Sequence, residues 1–208
     1  MEEKKLTYVA GNIKQYYPQY WNKIDSFPVE KCACIRKVAE EWGIFGNFYK
    51  ATLVVNQMEF VNSEQLFQMM KFKDVDLLKE IHESHSMAIK MKAKSKRAIA
   101  LQRPDWGSML VDAMKFCLVQ KYEQCEDFRN ELDRSKREGL YIVEDETSRK
   151  RGKSADSWGT VLVDGNYVGP NLLGKLLMEL RDTGRLEYHL PDDAFDFIEL
   201  IKEFLHRG

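Results

Sequence analysis

The stretch FVNSEQLFQMMKF, residues 60–72, joins a strand-like segment to an apolar helix and places a glutamate at the junction. Asn62 or Ser63 is suited to begin the helix, because a short polar side chain can accept a hydrogen bond from a free N–H of the first turn. The apolar residues within 66–70 then supply an inward face. Glu64 lies in the first turn, where a carboxylate complements the helix dipole, and this is an adequate structural reason for its presence.

A β-hairpin is expected just before this helix. YKATLVV (49–55) and MEFVN (58–62) are strand-like, and the polar pair Asn56-Gln57 separates them. A short polar break between two alternating segments is typical of a hairpin turn. The hairpin would deliver Glu64 to a strand-to-helix junction.

Two further polar residues share one side of the predicted helix with Glu64. Gln68 and Lys71 follow it at four and seven residues, and side chains at that spacing lie along the same helical face. Polar residues with this spacing usually form a solvated face. The alternative interpretation is that they form the floor of a pocket.

The composition predicts a globular protein. The 208 residues are 44% hydrophobic and 31% charged, which suits a domain with a sizeable core. The formal net charge of -1 creates no overall field for nucleic acid or an anionic membrane, so any polyanion site must be local. No stretch approaches the ~18 apolar residues of a membrane span, and the N-terminus lacks a signal-peptide core. We therefore expect a cytoplasmic protein with no membrane partner.

Metal and disulfide chemistry are not expected. His82 and His85 have a spacing compatible with a metal, but no third ligand lies nearby in sequence, so they are interpreted as a surface pair. The cysteines are too few and too irregularly spaced for a disulfide framework, and we expect reduced thiols. They are Cys32, Cys34, Cys117 and Cys125. No cofactor and no metal site is predicted.

A local excess of basic residues lies between Ser84 and Pro104, a segment without any acidic residue. Its members are Lys90, Lys92, Lys94, Lys96, Arg97 and Arg103. In a nearly neutral protein, such a run is suited to bind a phosphate or diphosphate. The alternative is a solvated, lysine-rich helix face.

Other segments carry helical or strand-like patterns. Helices are expected over 34–42, 74–84, 86–98, 104–136, 170–184 and 191–208. The longest of them is expected to bend near Cys125. LYIVE (140–144) predicts a short buried strand, and TVLVDGNYVG (160–169) predicts a hairpin that turns at Asp164. The amphipathic pattern of the last helix must dock on this domain or on a partner.

Common catalytic motifs are absent from the sequence. It has no contiguous Walker loop, dinucleotide-binding glycine pattern, nucleophile elbow or His-Glu-x-x-His helix. What remains is a set of carboxylates, Glu64, Glu144 and Asp156, with Trp106 and Trp158 beside polar loops. Cleavage of a glycosidic bond uses carboxylates to stabilise an oxocarbenium-like transition state. Trp106, near the start of a helix, is either a core residue or a stacking surface for a heterocycle.

Five sequence blocks, in this order, resemble the NADAR family, the YbiA-like N-glycosidases. The blocks are FGNFYKATLVVNQMEFVNSEQLFQMMKF (45–72), DW (105–106), YIVE (141–144), DSWG (156–159) and GPNLLGKLLMELR (169–181). The resemblance implies a compact single YbiA-like domain of the α+β class, mainly helical, with a few short strands or hairpins. It also implies that this domain covers residues 43–184, between an N-terminal extension, 1–42, and a C-terminal helical extension, 185–208.

The resemblance implies an enzyme that hydrolyses an N-glycosidic bond. Characterised members of the family act on ribosylamino-pyrimidine phosphates from riboflavin synthesis, and others are linked to NAD or ADP-ribose, including its removal from nucleobases. The expected partner is therefore a small nucleotide-like substrate, with ADP-ribosylated nucleic acid as a further candidate. The alternative is a non-catalytic module that binds NAD or ADP-ribose. A homodimer, formed through the extensions, is the remaining candidate assembly.

The resemblance also assigns catalytic residues. The early glutamate of the family corresponds to Glu64, and the loop carboxylate corresponds to Asp156. Relatives usually have two residues between that aspartate and the Trp-Gly pair, whereas only Ser157 follows Asp156 here. Asp145 or Glu146 is therefore an alternative for the second carboxylate.

Substrate-binding roles are carried over in the same way. The tryptophans would wall or stack the base, and the lysines would hold phosphate. The candidates are Asn47, Phe48, Gln68, Lys71, Lys94, Trp106, Trp158 and Asn171. The late arginine of the family falls on Arg181.

Overall fold

The computed structural model describes residues 6–205 of the chain. In chain order the helices are α1 (Tyr8–Tyr16), α2 (Ser63–Met69), α3 (Val75–His82), α4 (Met87–Ala93), α5 (Lys96–Leu101), α6 (Trp106–Gln124), α7 (Glu126–Arg137), α8 (Thr147–Lys150), α9 (Leu172–Thr183) and α10 (Asp196–Leu205). The strands are β1 (Asp25–Pro28), β2 (Cys32–Ile35), β3 (Leu53–Val55), β4 (Met58–Phe60), β5 (Tyr141–Glu144), β6 (Val161–Val163) and β7 (Asn166–Gly169). The predicted α+β class, mainly helical with short strands, is confirmed.

The described residues group into two units. The first unit contains the residues up to Gly46 together with Glu126–Leu186, and the second contains Asn47–Cys125 together with the residues from Glu187 onward. The division into two extensions around a domain at 43–184 stays a prediction, and its outermost residues, 1–5 and 206–208, lie outside the described residues. Within 6–205, no helix combines the length and the apolar character that crossing a bilayer requires.

The first unit is built on two small sheets. One is antiparallel with strand order β1-β7-β6, and in the other β2 pairs in parallel with β5. The predicted β6–β7 hairpin is confirmed, since Asp164 and Gly165 have φ of 46° and 77°, the left-handed values that a tight hairpin turn requires. Helices α7 and α9 pack together, and α9 also covers β5. Gly184 ends α9 with a left-handed φ of 73°, as the sequence predicted.

The helix predicted over residues 34–42 is wrong. Cys34 and Ile35 belong to β2 and lie opposite Val143 and Glu144 of β5. Helical spacing in a short segment is a weak signal, and pairing with a buried strand overrides it. The chain then turns so tightly that a Cβ on Gly43 would overlap the carbonyl oxygen of Val38.

Asn171 fixes the junction between β5 and α9. It is fully buried and adopts a left-handed conformation with φ 49°. Its Nδ2 donates to the carbonyl oxygen of Ile142 at 2.8 Å, and its Oδ1 accepts from the N–H of Glu144 at 3.2 Å. The backbones approach so closely that a Cβ on Gly174 would overlap the Ile142 carbonyl oxygen. One amide side chain therefore holds helix and strand in register.

The second unit begins with the predicted hairpin. Strands β3 and β4 pair antiparallel, and Asn56 and Gln57 form the turn with φ of 47° and 63°. Helix α2 follows directly and contacts α3, α4 and α6. Helix α6 is buried on most of its circumference, which makes it the central helix of this unit.

Two predicted helices are each divided in the structure. The helix expected over 104–136 is two helices, because Cys125 adopts an extended conformation between α6 and α7. The helix expected over 86–98 is also two, since the Oγ of Ser95 accepts from the N–H of Ala98 and begins α5. The sequence predicted a bend near Cys125 and a continuous helix through Ser95, because apolar spacing continues across both places and does not mark a complete break.

The C-terminal segment packs within the second unit. Phe197, Ile198 and Ile201 of α10 are buried, and the ring of Phe197 meets that of Phe60 edge-on with centroids 6.1 Å apart. The apolar face predicted for this helix is therefore covered by its own chain.

We predict that Gly174→Ala lowers the free energy of unfolding by about 2–4 kcal/mol, because the added methyl group forces α9 away from β5. Gly11→Ala in α1 is the matched control. A Cβ there meets nothing within 4 Å, so we expect a gain of about 0.5–1 kcal/mol from helix propensity. Urea denaturation of both variants measures the difference. Equal effects at the two positions would contradict the close approach of α9 to β5.

Candidate active site

The first turn of α2 holds Glu64 in a fixed place. Of the two predicted candidates, Asn62 and Ser63, it is Asn62 that begins the helix, since its Oδ1 accepts from the N–H of Gln65 at 2.9 Å. The N–H of Glu64 donates to the carbonyl oxygen of Asn47 at 3.0 Å, and the Oγ of Ser63 donates to the Asn47 Oδ1 at 3.1 Å. The backbone that carries the glutamate is therefore attached at several points.

Every residue of α2 is buried, including its polar ones. Glu64 is 5% exposed, Gln68 2% and the following Lys71 8%. Of the two interpretations of this polar face, the solvated surface is wrong. Burying a carboxylate and an amine costs free energy unless they bind one another or neighbouring polar groups.

A chain of hydrogen bonds joins these three side chains. The Nε2 of Gln68 donates to the Glu64 Oε1 at 2.8 Å, and the Nζ of Lys71 donates to the Gln68 Oε1 at 2.6 Å. The amide of Gln68 is thus oriented at both ends, with its oxygen towards the amine and its nitrogen towards the carboxylate. Glutamine is suited to this place because it can donate and accept at the same time.

Lys71 lies against two aromatic rings. Its Nζ is 5.2 Å from the centroid of Phe67 and 5.3 Å from that of Trp106, a distance at which a cation is attracted to an aromatic face. The two rings meet edge-on with centroids 5.2 Å apart. Trp106 is only 1% exposed, so the structure places it in the core of this unit beneath the amine.

The environment of Lys71 favours its neutral form. Burial lowers its pKa from 10.5 to about 7, Glu64 opposes that change, and the charges of Lys94 and Lys90 add to it. Desolvation wins because the amine is almost completely withdrawn from water. Lys71 therefore titrates near neutral pH, where a bound anion can change its protonation.

Lys90 approaches the carboxylate from α4. Its Nζ lies 3.9 Å from the Glu64 Oε1 and 5.7 Å from the ring centroid of the partly buried Phe48. The sequence placed Lys90 in the basic run without distinguishing it from its neighbours, and only tertiary packing identifies it.

The rest of the basic run is not a continuous open patch. Arg97 forms ion pairs with Asp74 at 3.1 Å and Glu80 at 2.7 Å, and the Nζ of Lys92 donates to the Glu80 carbonyl oxygen at 3.0 Å. Lys94 is exposed. The predicted phosphate ligands Lys71 and Lys94 interact electrostatically, since the charge of Lys94 lowers the pKa of Lys71. Lys90 lowers the pKa of Lys71 in the same way.

Asp156 belongs to the first unit and is engaged on both oxygens. Its Oδ1 accepts from the Nζ of Lys150 at 2.7 Å and from the Oγ of Ser157 at 3.2 Å. Its Oδ2 accepts from the hydroxyl of Thr7 at 2.8 Å, and that hydroxyl also accepts from the N–H of Ala10 at the start of α1. Burial raises the pKa of Asp156, but the bonds from Lys150 and Thr7 outweigh it and lower the pKa overall.

The alternative second carboxylates are also engaged within the first unit. The Oδ1 of Asp145 accepts from the N–H of Thr147 at 2.8 Å. Glu146 forms ion pairs with Arg149 at 3.3 Å and with Lys150 at 3.5 Å. The identity of the second carboxylate stays a prediction.

The remaining candidates in the first unit differ in exposure. Trp158 is partly buried. Asn171 is fully buried with both ends of its amide bound to β5, and Arg181 donates to the carbonyl oxygen of Leu140 at 2.8 Å. These contacts give Asn171 and Arg181 structural roles, and a direct role in binding substrate stays a prediction for both.

The structure brings together the candidates of the second unit. Gln68, Lys71 and Lys90 surround Glu64, and Asn47 anchors its backbone. Sequence spacing identified Gln68 and Lys71, whereas it carried no signal for the contribution of Phe67 to the Lys71 environment. Among residues 6–205, no group of three or more His, Cys, Asp or Glu side chains is arranged to hold a metal ion. His82 is partly buried, His85 is exposed, and the cysteines are free thiols.

Comparison with known proteins finds a matching family model and several similar proteins. The family model of the NADAR domain matches residues 34–185. N-glycosidase YbiA from Shigella boydii is 29% identical over 150 residues, covering 72% of this chain and 86% of the relative. A riboflavin biosynthesis protein from Vibrio vulnificus is 27% identical over 164 residues, covering 78% of this chain. This chain spans only 41% of the length of that second relative.

A solved structure has the same fold. The NMR structure of the Escherichia coli protein YbiA matches with a TM-score of 0.56 and 26% sequence identity. The match covers 78% of this chain and 91% of that protein.

We predict that Lys71→Met stabilises the protein near pH 7 and that this gain shrinks towards pH 10. The folded-state pKa of about 7 lies below the unfolded value of 10.5, so the unfolded chain binds the proton more readily. The wild type therefore loses stability as pH falls from 10.5 towards 7, and the variant lacks this loss. Urea denaturation across that range measures it, with the exposed Lys96→Met as matched control. A difference between Lys71→Met and wild type that does not vary with pH would contradict the burial of a titrating amine.

Proposed function

Since this chain belongs to the NADAR domain family, we propose that it is an N-glycosidase that hydrolyses the bond between a ribose and a base. The proposed substrate is a ribosyl phosphate or an ADP-ribosyl compound, either a ribosylamino-pyrimidine phosphate or an ADP-ribosylated nucleobase. The observation that carries the proposal is the buried Glu64 with two lysines close to it. The relatives named N-glycosidase and riboflavin biosynthesis protein support the reaction class.

In this proposal Glu64 stabilises the positive charge that develops on the ribose. Loss of the base leaves an oxocarbenium-like centre at the anomeric carbon, and a carboxylate beside it stabilises the transition state or activates water. The effect is stronger in a buried site than in water, because the effective dielectric constant is lower. Gln68 orients the carboxylate through its bond to Oε1, so the charge needs no rearrangement during the reaction.

The lysines bind the phosphate. Lys90 lies 3.9 Å from the Glu64 carboxylate, and Lys71 is joined to it through Gln68. Lys94 acts on Lys71 through its charge. A bound phosphate favours the protonated amine, so substrate binding charges Lys71 and reverses the effect of its burial. The partly buried Phe48, beneath Lys90, offers an aromatic surface to the base. Trp106 supports Lys71 from the core.

Asp156 is the proposed second carboxylate, binding ribose hydroxyls or activating water. Its lowered pKa supports this role, because an ionised carboxylate accepts hydrogen bonds from hydroxyls and water. Its present bonds to Thr7 and Lys150 would then be exchanged for bonds to the substrate.

We predict that Glu64→Gln lowers kcat by about 10²–10⁴-fold, because the neutral amide cannot stabilise the developing cation. The purified protein is incubated with ribosylamino-pyrimidine phosphates and with ADP-ribosylated nucleobases, and the free base is measured by chromatography. Glu59→Gln, which changes an exposed carboxylate on β4, is the matched control and keeps wild-type activity. If no free base appears with wild type, the glycosidase assignment is wrong. Calorimetric binding of the intact ligand without turnover would then identify a binding module.

We predict that Asp156→Asn lowers kcat/KM by about 10–100-fold and removes the part of the acidic limb of the pH profile that Asp156 causes, since position 156 then has no carboxylate to protonate while Glu64 is retained. Asp164→Asn, at the exposed turn between β6 and β7, is the control. Wild-type kinetics in Asp156→Asn would transfer the role to Asp145 or Glu146. The variants Asp145→Asn and Glu146→Gln would then test those two positions.

A further inference from the structure

The C-terminal segment of the second unit, residues 187–205, lies beyond the part of the chain that the family model matches. It is nevertheless tied to the end of α2 by a network of ion pairs. The centre of this network is Arg103, a guanidinium that is 7% exposed and lies in the connection between α5 and α6.

Arg103 binds two carboxylates at the same time. Its Nε and Nη2 donate to the two oxygens of Asp105 at 2.6 and 2.8 Å, and Nη2 also donates to the Asp193 Oδ1 at 2.6 Å. The other oxygen of Asp193 accepts from the Nζ of Lys73 at 2.6 Å. The hydrogen bonds from Lys73 and Arg103 lower the pKa of Asp193 to about 2, so it is ionised at neutral pH.

The backbone of Arg103 forms hydrogen bonds to the backbones of both Lys71 and Trp106. Its N–H donates to the carbonyl oxygen of Lys71 at 2.9 Å, and its own carbonyl oxygen accepts from the N–H of Trp106 at 3.2 Å. Residues 71 and 106 are the lysine and the tryptophan whose side chains meet at 5.3 Å. A displacement of Arg103 therefore moves the backbone on both sides of that contact.

We propose that Asp193 is a positioning residue that, through Arg103, holds Lys71 in its buried place beside Trp106. The C-terminal segment thereby controls the phosphate-binding part of the active site. Its consequence for turnover rests on the proposed function, whereas its consequence for Lys71 does not. Asp193 acts on Lys71 through two attachments. It binds Arg103, whose N–H is bonded to the Lys71 carbonyl oxygen, and it binds Lys73, which lies two residues after Lys71.

Asp193 compensates the charge of the buried Arg103. A guanidinium withdrawn from water needs its carboxylate partners, and removing one of them favours movement towards solvent. Asp105 remains bound in that event, but it is only two residues from Arg103, so its ion pair does not join Arg103 to another segment. Asp193 is the partner that comes from a separate segment and fixes the connection in place.

The test is a pH titration of Lys71 in Asp193→Asn. The titration is observed by NMR on protein that carries ¹³C-labelled lysine, and the Lys71→Arg variant assigns the signal. Loosening the end of α2 admits water, so we expect a proton affinity of Lys71 about tenfold higher than in wild type. The direct electrostatic effect has the opposite sign, because removing a nearby negative charge lowers the affinity of an amine for a proton. The direction of the change therefore separates lost positioning from lost charge.

Asp192→Asn is the matched control, since it makes the same chemical change at the exposed neighbouring position. We expect its Lys71 titration to match wild type. We expect Asp193→Glu to have a Lys71 titration close to wild type as well, because the glutamate can form the same ion pairs. Arg103→Lys, which cannot bind two carboxylates in the same way, is expected to act like Asp193→Asn. An unchanged or lowered proton affinity in Asp193→Asn would overturn the proposal.

Kinetics add a second readout. With a phosphate-bearing substrate at pH 6, where Lys71 is mostly protonated in both proteins, Asp193→Asn is expected to raise KM about 5-fold with little change in kcat, because the displaced Lys71 binds phosphate less well while Glu64 stays in place. A loss in kcat with KM unchanged would overturn the proposed control of phosphate binding. Failure of the wild type to release any base would refute the proposed function alone, and the Lys71 titration would still decide the role of Asp193.

Discussion

Burial of charge on one short helix and the turn that follows it is the constraint on which the second unit depends. Glu64 and Lys71 are both withdrawn from water, and Gln68 joins them with a donor at one end and an acceptor at the other. For the amine, desolvation outweighs the attraction of the carboxylate, as its lowered pKa shows. Such an arrangement is stable only if the surrounding packing is complete. The aromatic floor of Phe67 and Trp106 supplies that packing.

Local signals made part of the fold predictable. The turns at Asn56-Gln57 and Asp164-Gly165 and the stop at Gly184 depend on a few adjacent residues and were placed correctly. The cap of α2 was narrowed to Asn62 or Ser63 on the same kind of signal. Strand β2 was missed because its partner β5 lies far along the chain, and no nearby residue carries that information. The bend predicted near Cys125 is a complete break between two helices, and the break at Ser95 was missed, since apolar spacing continues across both places.

The sequence predicted which residues form the candidate site better than it predicted their burial and their contacts. Spacing placed Glu64, Gln68 and Lys71 on one side of α2, yet spacing cannot distinguish a solvated face from a buried one. That distinction comes from α4 and α6, which pack against α2. Lys90 was one of six similar basic residues, and only its approach to Glu64 separates it from the others. Asn171 matched the family pattern, and its contacts show that a family residue can serve the backbone.

The hydroxyl of Thr7 has a consequence for how fragments of this protein behave. A hydroxyl carries a single proton, and here that proton points to Asp156 while the oxygen accepts from α1. Thr7 precedes the first residue matched by the family model. A fragment trimmed to the family boundary at residue 34 would therefore lose the whole of α1, strand β1 and a hydrogen-bond donor of Asp156. The family match begins at residue 34, whereas hydrogen bonds to the matched region begin as early as Thr7.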